Sequence, residues 1–440
     1  MRNRNDTFAA PCFDRFDEGG APLTPSRNSG ILYRGTGSIR RLITVSFLAA
    51  LFAPQATGQE RREPVQIEEA GNFRATGVDE VFDLAESVRL KHGNTVLTSD
   101  RVNYDRLNGI VRLFGSVRMI RETTTLTAAA AVYYEQDQRA IGAGQVKLVD
   151  ALDGVVLTGD RMVFTQEPHL AVATGKPNMT WQQDDSRINI EGWRLEYYFT
   201  ESNTLLKAVA KESVIVVDEG EGVTIYCDHA EYYKETESAR FSGEPQLVKR
   251  LEGDEGEIVV TGNDIAYGFE DRTADVFDSV KVVKGTLQGI CDTLHFDSEG
   301  QRIDLLGNPV IRSVHSEITG DQIELELVDG QVARAVVTGN AMGSYAVEDT
   351  AGTDQADRST IEGRGMIVDF AGESVKTITA QGNAVSTYNP TTLESGPTGH
   401  NVVRAKEIVI ELDGGELVKV NAGGGVDGTY LTPEDEDGNR

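Results

Sequence analysis

Apolar and polar residues alternate with a period of two, in short runs, along most of this 440-residue chain. The run from Val111 to Met119 is typical, because every second position is apolar or Gly. Such alternation is the signature of β-strands with one buried face. The links between runs, such as Arg106 to Gly109, have the residues of tight hairpin turns. The pattern therefore predicts antiparallel strands.

The strands are organised as a repeat. Each unit begins with a strand of small residues that ends in a large residue, as from Leu97 to Tyr104. The end residue returns at intervals of 29 to 35 residues, and finally of 43 and 42 residues, which contain polar insertions at Glu348 to Thr360 and Thr391 to His400. We expect these insertions to be surface loops. The end residues are Tyr104, Tyr133, Phe164, Tyr197, Tyr232, Tyr267, Phe296, Leu325, Val368 and Ile410. Ten copies predict an elongated all-β array of about twenty short antiparallel strands.

The inward-facing parity changes within the first strand of each unit. Leu97 and Ser99 share one face, whereas Val102 and Tyr104 share the other. A bulge or corner at Asp100-Arg101 would let all four side chains point inward. The second strand carries a recurrent Gly, such as Gly115, which we expect on the inner face, where the missing side chain lets the opposite wall come close or the strand bend sharply.

The first 58 residues resemble a targeting segment. Arg40-Arg41 precede the apolar run from Leu42 to Ala53, which is too short to span a bilayer. With the small residues that follow, the run predicts a Sec-type signal peptide cleaved near residue 58, and residues 1–35 suggest a start site placed too far upstream. An interior helix and an uncleaved inner-membrane anchor are the alternatives.

These features divide the chain into four parts. We expect an N-terminal extension with signal peptide (1–58), a linker (59–80), a ten-repeat β domain (81–431) and an acidic tail (432–440). The formal net charge is −28, and after residue 58 it is −31 from 35 basic and 66 acidic residues. Such a field repels phosphate, so nucleic acid is excluded as a partner bound through counterion release. A hydrophobic fraction of 39% still predicts a folded protein.

The repeat resembles a known family. Leu97-Thr98-Ser99-Asp100-Arg101-Val102-Asn103-Tyr104, a turn, an alternating strand and a Gly followed by a small residue are similar to the periplasmic lipopolysaccharide-transport proteins of the LptA/OstA type. The resemblance covers residues 81–431 and implies an open, V-shaped β-jellyroll with an apolar groove. It implies a periplasmic location and partners of three kinds: lipopolysaccharide or another acylated glycolipid, LptA/LptC/LptD-like proteins bound by edge-strand pairing, and further copies joined head to tail.

Parity in the second strands identifies candidate lipid-contacting residues on the inner face. These are Val117, Met119, Val146, Leu148, Met179, Val214, Val216 and Leu247. Small inward residues, for example Ala171, Ala173 and Ala239, would leave room for a guest. The alternative is a closed sandwich or β-solenoid, in which small residues let the two sheets come together.

The residues that could form a disulfide, a metal site or an aromatic ligand site each have a simpler structural explanation. Cys227 and Cys291 hold the same frame position two copies apart, too far for a disulfide. Repeated aspartates, from Asp100 to Asp321, suit corner capping better than calcium binding. Trp181 and Trp193 form an aromatic cluster that either guards a groove mouth or fills the core, and we favour the core. No catalytic motif has the required spacing, so we expect no enzyme activity, cofactor or metal site.

Two classes of function remain. The first is a periplasmic conduit that shields the acyl chains of lipopolysaccharide or a similar amphiphile on its way to the outer membrane. The second is a structural or adhesive scaffold whose edges bind proteins or glycans.

Overall fold

The computed structural model describes residues 64–76, 80–183, 186–251, 256–313, 316–328, 331–345, 359–372, 374–388, 400–413 and 416–431. The predicted signal peptide, the acidic tail and most of the two polar insertions lie outside these residues. Within them every regular element is a strand, and no helix is long and apolar enough to cross a membrane. The prediction of an all-β protein is confirmed.

The strands follow one another along the chain in a single hydrogen-bonded array. They are β1 (Gln66–Glu69), β2 (Asn72–Thr76), β3 (Val81–His92), β4 (Thr95–Asp105), β5 (Ile110–Arg121), β6 (Thr124–Tyr134), β7 (Arg139–Asp150), β8 (Val155–Thr165), β9 (Leu170–Thr174), β10 (Asn178–Gln183), β11 (Ser186–Glu191), β12 (Arg194–Phe199), β13 (Leu205–Asp218), β14 (Val223–Tyr233), β15 (Ser238–Ser242), β16 (Gln246–Arg250), β17 (Glu257–Thr261), β18 (Asp264–Gly268), β19 (Thr273–Lys284), β20 (Leu287–Asp297), β21 (Arg302–Leu306), β22 (Val310–Arg312), β23 (Ser316–Thr319), β24 (Gln322–Val328), β25 (Gln331–Tyr345), β26 (Ser359–Ala371), β27 (Ser374–Tyr388), β28 (His400–Asp413), β29 (Glu416–Gly423) and β30 (Asp427–Leu431).

Long strands cross between two facing walls. In β4 and β5, residues 101–105 pair with 110–114, residues 95–98 pair with 118–121, and the register shifts between the two sets. Segments of the first kind stack into one sheet, the first wall, and segments of the second kind stack into the second wall. The corner is the edge where strands pass between the walls, and the mouth is the opposite edge, where hairpin turns join successive strands. This two-walled β-jellyroll is the predicted fold class.

In the second strand of each unit, two successive residues with positive φ form the corner. Gly115 and Ser116 have φ values of 74° and 47°, and Glu212 and Ser213 have values of 62° and 52°. Glycine adopts this left-handed conformation without strain, and Asn tolerates it. The same pair recurs at Gly144-Gln145, Gly175-Lys176, Gly243-Glu244, Asp278-Ser279, Gly307-Asn308, Gly339-Asn340, Gly382-Asn383 and Gly424-Gly425. The recurrent Gly of the sequence is therefore a backbone requirement of the corner.

The repeated aspartates stand beside these corner glycines. A Cβ added to Gly115 would lie 2.3 Å from Oδ2 of Asp100, and the same crowding pairs Asp292 with Gly307. The hydroxyl of Ser116 also donates to Asp100 at 3.1 Å. The expectation that the opposite wall comes close at these glycines is wrong, because the close neighbour is an aspartate on the adjacent strand of the corner. The alternative expectation, that the strand bends there, agrees with the positive φ values. Among the described residues, no group of three or more His, Cys, Asp or Glu is placed to hold a metal.

Two further expectations need correction. Residues 59–80 are not simply a linker, because β1 and β2 pair with the two halves of β3 and start the array before Val81. The described chain has thirty strands and not about twenty, since several corners interrupt the ladder and divide one long strand into two, as between β9 and β10. The parity change near Asp100 is confirmed, since the register shifts between Thr98 and Arg101.

One hydrophobic core runs between the walls. It includes Leu90 and Leu97 from the second wall and Val111 and Tyr104 from the first, all buried. Cys227 and Cys291 are buried in the same interior and carry free thiols.

Candidate functional site

All eight residues predicted to contact lipid lie on the inner side of the second wall. Seven are buried, and Leu247 is partly buried against the core. Of these eight, Met179, Val216 and Leu247 line the apolar cavity described next. Val117, Met119, Val146, Leu148 and Val214 pack within the core.

An apolar cavity of about 260 Å³ lies between the walls in the middle of the array. Of its lining from the first wall, the sequence predicted only Ala239 as a small inward residue; the larger first-wall residues were missed, because the candidate lipid contacts were all taken from the second strands of the repeats. An engineered apolar cavity of about 150 Å³ holds benzene, so the present volume suits an alkyl chain of roughly ten carbons. The lining includes Trp181, Ile188, Ile190, Ala208, Ile225, Tyr232, Phe241, Val260, Tyr267, Phe269, Val276, Val282, Leu294, Phe296 and Ile303.

Aromatic rings form part of the cavity lining. Trp181 of the second wall lies 5.4 Å from Tyr232 of the first wall, measured between ring centroids. Phe269 contacts both Tyr232 and Tyr267 edge-on, at 5.7 Å and 4.8 Å. Trp181 is only 8% exposed, whereas Trp193 at a corner is 70% exposed. The predicted tryptophan cluster is therefore split, with one ring inside and one on the surface.

Charged groups stand where the cavity meets solvent. Asp218, Glu221 and Lys249 come from the second wall, and Arg272 comes from a turn of the first wall. Lys249 is paired with Glu221 at 3.3 Å. Burial raises the pKa of Tyr267, and the carboxylates of Glu221 and Asp218 raise it further. The site thus combines an apolar interior with a rim of both charges, which suits a molecule with an apolar tail and a polar head.

Hydrogen bonds join the walls across the mouth in the N-terminal part of the array. His92 Nδ1 and Tyr133 Oη lie 2.7 Å apart in a buried hydrogen bond, and Tyr197 donates to Asp150 at 2.5 Å. Further bonds of this kind run from Arg121 to Gln138, from Asn203 to Glu122 and from the Leu205 amide to Asp153. We call strands β3 to β9, together with β12 of the first wall, the closed segment; the cavity begins beside β12, where Leu195 is part of its lining. Over the closed segment the mouth of the predicted V is bridged.

Small inner residues in the closed segment let the walls pack closely. Ala171 and Ala173 are fully buried in the first wall, and Leu148 and Leu157 are fully buried in the second. The expectation that small linings leave room for a guest does not describe this segment, which has the packing of the closed-sandwich alternative. Ala239, by contrast, lines the cavity.

On the outer side of the first wall, two carboxylates each accept several hydrogen bonds. Glu196 accepts from Arg194, Tyr198 and Lys211, while Glu231 accepts from Lys207 at 2.8 Å and from Tyr233. Burial alone would raise the pKa of Glu231, but its hydrogen-bond donors outweigh this effect and hold the pKa at about 2.

The fold and cavity define a two-walled β-repeat protein with an apolar interior. Comparison with known proteins agrees: the family model described as OstA-like protein matches residues 70–152. Over these residues the chain is similar to the OstA-like family, and the predicted resemblance is confirmed there. No curated protein matches the chain.

Fourteen chains of solved structures match. One is LptH, the LptA homologous periplasmic component of the conserved lipopolysaccharide transport device from Pseudomonas aeruginosa. It is 17% identical, with a TM-score of 0.26, and the match covers 28% of this chain and 98% of LptH.

Proposed function

We propose that this protein is a non-catalytic, periplasmic lipid-binding conduit that shields the acyl chains of lipopolysaccharide or a similar amphiphile on the way to the outer membrane. The observation that carries the proposal is the apolar cavity between the two walls, rimmed by Asp218, Glu221, Lys249 and Arg272. Each buried methylene contributes roughly 0.8 kcal/mol, so an alkyl chain gains several kcal/mol from leaving water. The OstA-like domain at residues 70–152 supports the same proposal.

Within the predicted set, we assign lipid contact first to Met179, Val216 and Leu247, because they line the cavity. The other five predicted residues serve the packed interior of the two walls. The first-wall residues Tyr232, Tyr267 and Phe269 face the same space and complete the lining.

The decisive experiment has two parts. Mass spectrometry of lipid extracted from the natively purified protein should find a copurifying acylated lipid. Leu247→Asn should then weaken binding of a fluorescent fatty acid, whereas Val248→Asn should not, since Val248 is the next residue on the same strand and lies on the opposite face. A protein that copurifies no lipid and binds no probe would instead fit the scaffold alternative, with proteins or glycans as its ligands.

Partners of this conduit would bind through strand addition. β29 and β30 each pair with β28 alone in the described part of the chain, and Val418, Val420 and Val426 are exposed there. An unpaired strand of this kind is a template for another strand. We propose that LptA/LptC/LptD-like proteins, or another copy joined head to tail, pair with this edge.

A further inference from the structure

We infer that lipid enters and leaves sideways, through the mouth above the central cavity, and that the closed segment is a shut spacer through which no acyl chain passes. The inference rests on the proposed function and deepens it, because it assigns the entry point and the occupant. The occupant is one alkyl chain of an amphiphile whose polar head stays at the rim.

The first observation is the uneven distribution of bonds across the mouth. The hydrogen bonds across the mouth given above all fall between His92 and Leu205. Those of His92 and Asp150 are buried between the two walls. Opening this segment would leave the Asp150 carboxylate, which is fully buried, without its phenol donor. Leaving a buried polar group unpaired is costly, so the closed segment resists parting.

The second observation is that the Tyr at one position of the repeat has different contacts in different units. Tyr133 and Tyr197 bond across the mouth, but Tyr232 and Tyr267 hold the equivalent position and line the cavity. Among the described residues, neither Tyr232 nor Tyr267 forms a hydrogen bond across the mouth. The tyrosines over the cavity therefore do not join the two walls, which can separate there without breaking such a hydrogen bond.

The third observation concerns the rim. Arg272 stands on the first-wall side and Lys249 on the second-wall side, with Glu221 paired to Lys249. Arg272 makes no ion pair with another described residue, so it is available to an anionic head. An apolar chain inside and an anionic head beside Arg272 match one alkyl chain of an amphiphile with its head at the rim, and the cavity volume of about 260 Å³ has room for about one such chain.

Bridging the mouth tests this inference. Glu221→Cys and Arg272→Cys place thiols on opposite rims, and both parent residues influence Tyr267. The pair is introduced in a Cys12→Ser background and bridged with a flexible bis-maleimide. Burial raises the pKa of Cys227 to about 12 and that of Cys291 to about 11, so these thiols stay unreactive at neutral pH. The control pair, Glu122→Cys with Asn203→Cys, bridges the closed segment where the parent side chains are 2.8 Å apart.

The probe is cis-parinaric acid, and each bridged protein is compared with its own unbridged form. We expect the bridge over the cavity to slow loading by about tenfold or more and to trap probe that was loaded beforehand, as for other gated sites. The control bridge should change neither rate. Unchanged loading with the cavity bridged, or slowed loading with the control bridge, would overturn the inference while leaving lipid binding intact. Failure of the native protein and of the unbridged control pair, which both keep the rim residues, to bind the probe would overturn the proposed function itself.

Discussion

Tyr197 of the first wall donates its phenol proton to Asp150 of the second wall, across the mouth of the closed segment, with 2.5 Å between the oxygen atoms. Forty-seven residues separate the two in sequence. Burial and this hydrogen bond raise the pKa of Tyr197, so the phenol remains protonated through the physiological range.

We expect Tyr197→Phe to destabilise the fold by about 1–3 kcal/mol, because a buried carboxylate loses its donor. Tyr267→Phe is the matched comparison, since Tyr267 holds the same repeat position without a cross-mouth hydrogen bond, and it should cost less. Urea titration of both variants measures the difference. Equal stabilities for the two variants would show that the bond across the mouth does not hold the walls together.

The corner glycines give a second prediction. A Cβ added to Gly144 would lie 2.8 Å from the Cβ of Ala129, and the residue has a φ of 79°. We expect Gly144→Ala to cost more than Gly93→Ala, because Gly93 also has positive φ but has open space around it. Left-handed backbone alone costs a non-glycine residue about 1–2 kcal/mol. Adding Ala129→Gly to Gly144→Ala should recover the steric part only; a double variant no more stable than Gly144→Ala would disprove the clash.

The lowered pKa of Glu231 predicts how the free energy of unfolding depends on pH. Its folded-state pKa of about 2 lies below its ordinary value of 4.5, so its contribution is present above pH 4.5 and is lost as the pH falls towards 2. We expect Glu231→Gln to lower the urea midpoint at pH 6 and to have a smaller effect near pH 2. A difference between the two proteins that stays constant over this range would mean that the carboxylate's charge contributes nothing.

The exposed edge strands predict self-association or partner binding. Val420→Pro in β29 removes a backbone donor and should block an added strand. We expect light scattering to show a concentration-dependent increase in mass for the native chain and a smaller increase for the variant. Val248→Pro is not a suitable control, because β16 is paired on both sides; Val420→Thr, which keeps the donor, is the appropriate one. Native protein that stays monomeric and binds no partner would remove the support for edge pairing.

The periodicity of the sequence was sufficient to predict the strands, the repeat and the residues that face inward in the second wall. Leu97, Ser99, Val102 and Tyr104 all lie inward on the two sides of a register shift, as their parity predicted. The role of the corner glycines was left between two alternatives, because a recurrent Gly indicates a special backbone position without saying whether φ or a close neighbour requires it. The exposure of Trp193 could not be predicted either, because its position at a corner depends on the register between its own strand and a strand that is distant in sequence.

The candidate site was harder to predict for a physical reason. Met179 and Leu148 have the same parity and the same inner wall, yet one lines a cavity and the other is packed. The distinction depends on whether the opposite wall is tied across the mouth, as Tyr197 is to Asp150. Pairings between residues nearly fifty positions apart leave no periodic trace in the chain.

The paired left-handed residues at each corner have a consequence for how such a chain can change its length. Every strand that crosses the corner carries inward residues on both sides of it, so losing one residue on one side would turn half of that strand inside out. Tolerated insertions must then occur in the hairpin turns, as with the polar stretches after Tyr345 and Tyr388, or as duplication of an entire unit. We expect related chains to differ in length by steps of about thirty residues. The number of units would then determine the distance between the two ends of the array.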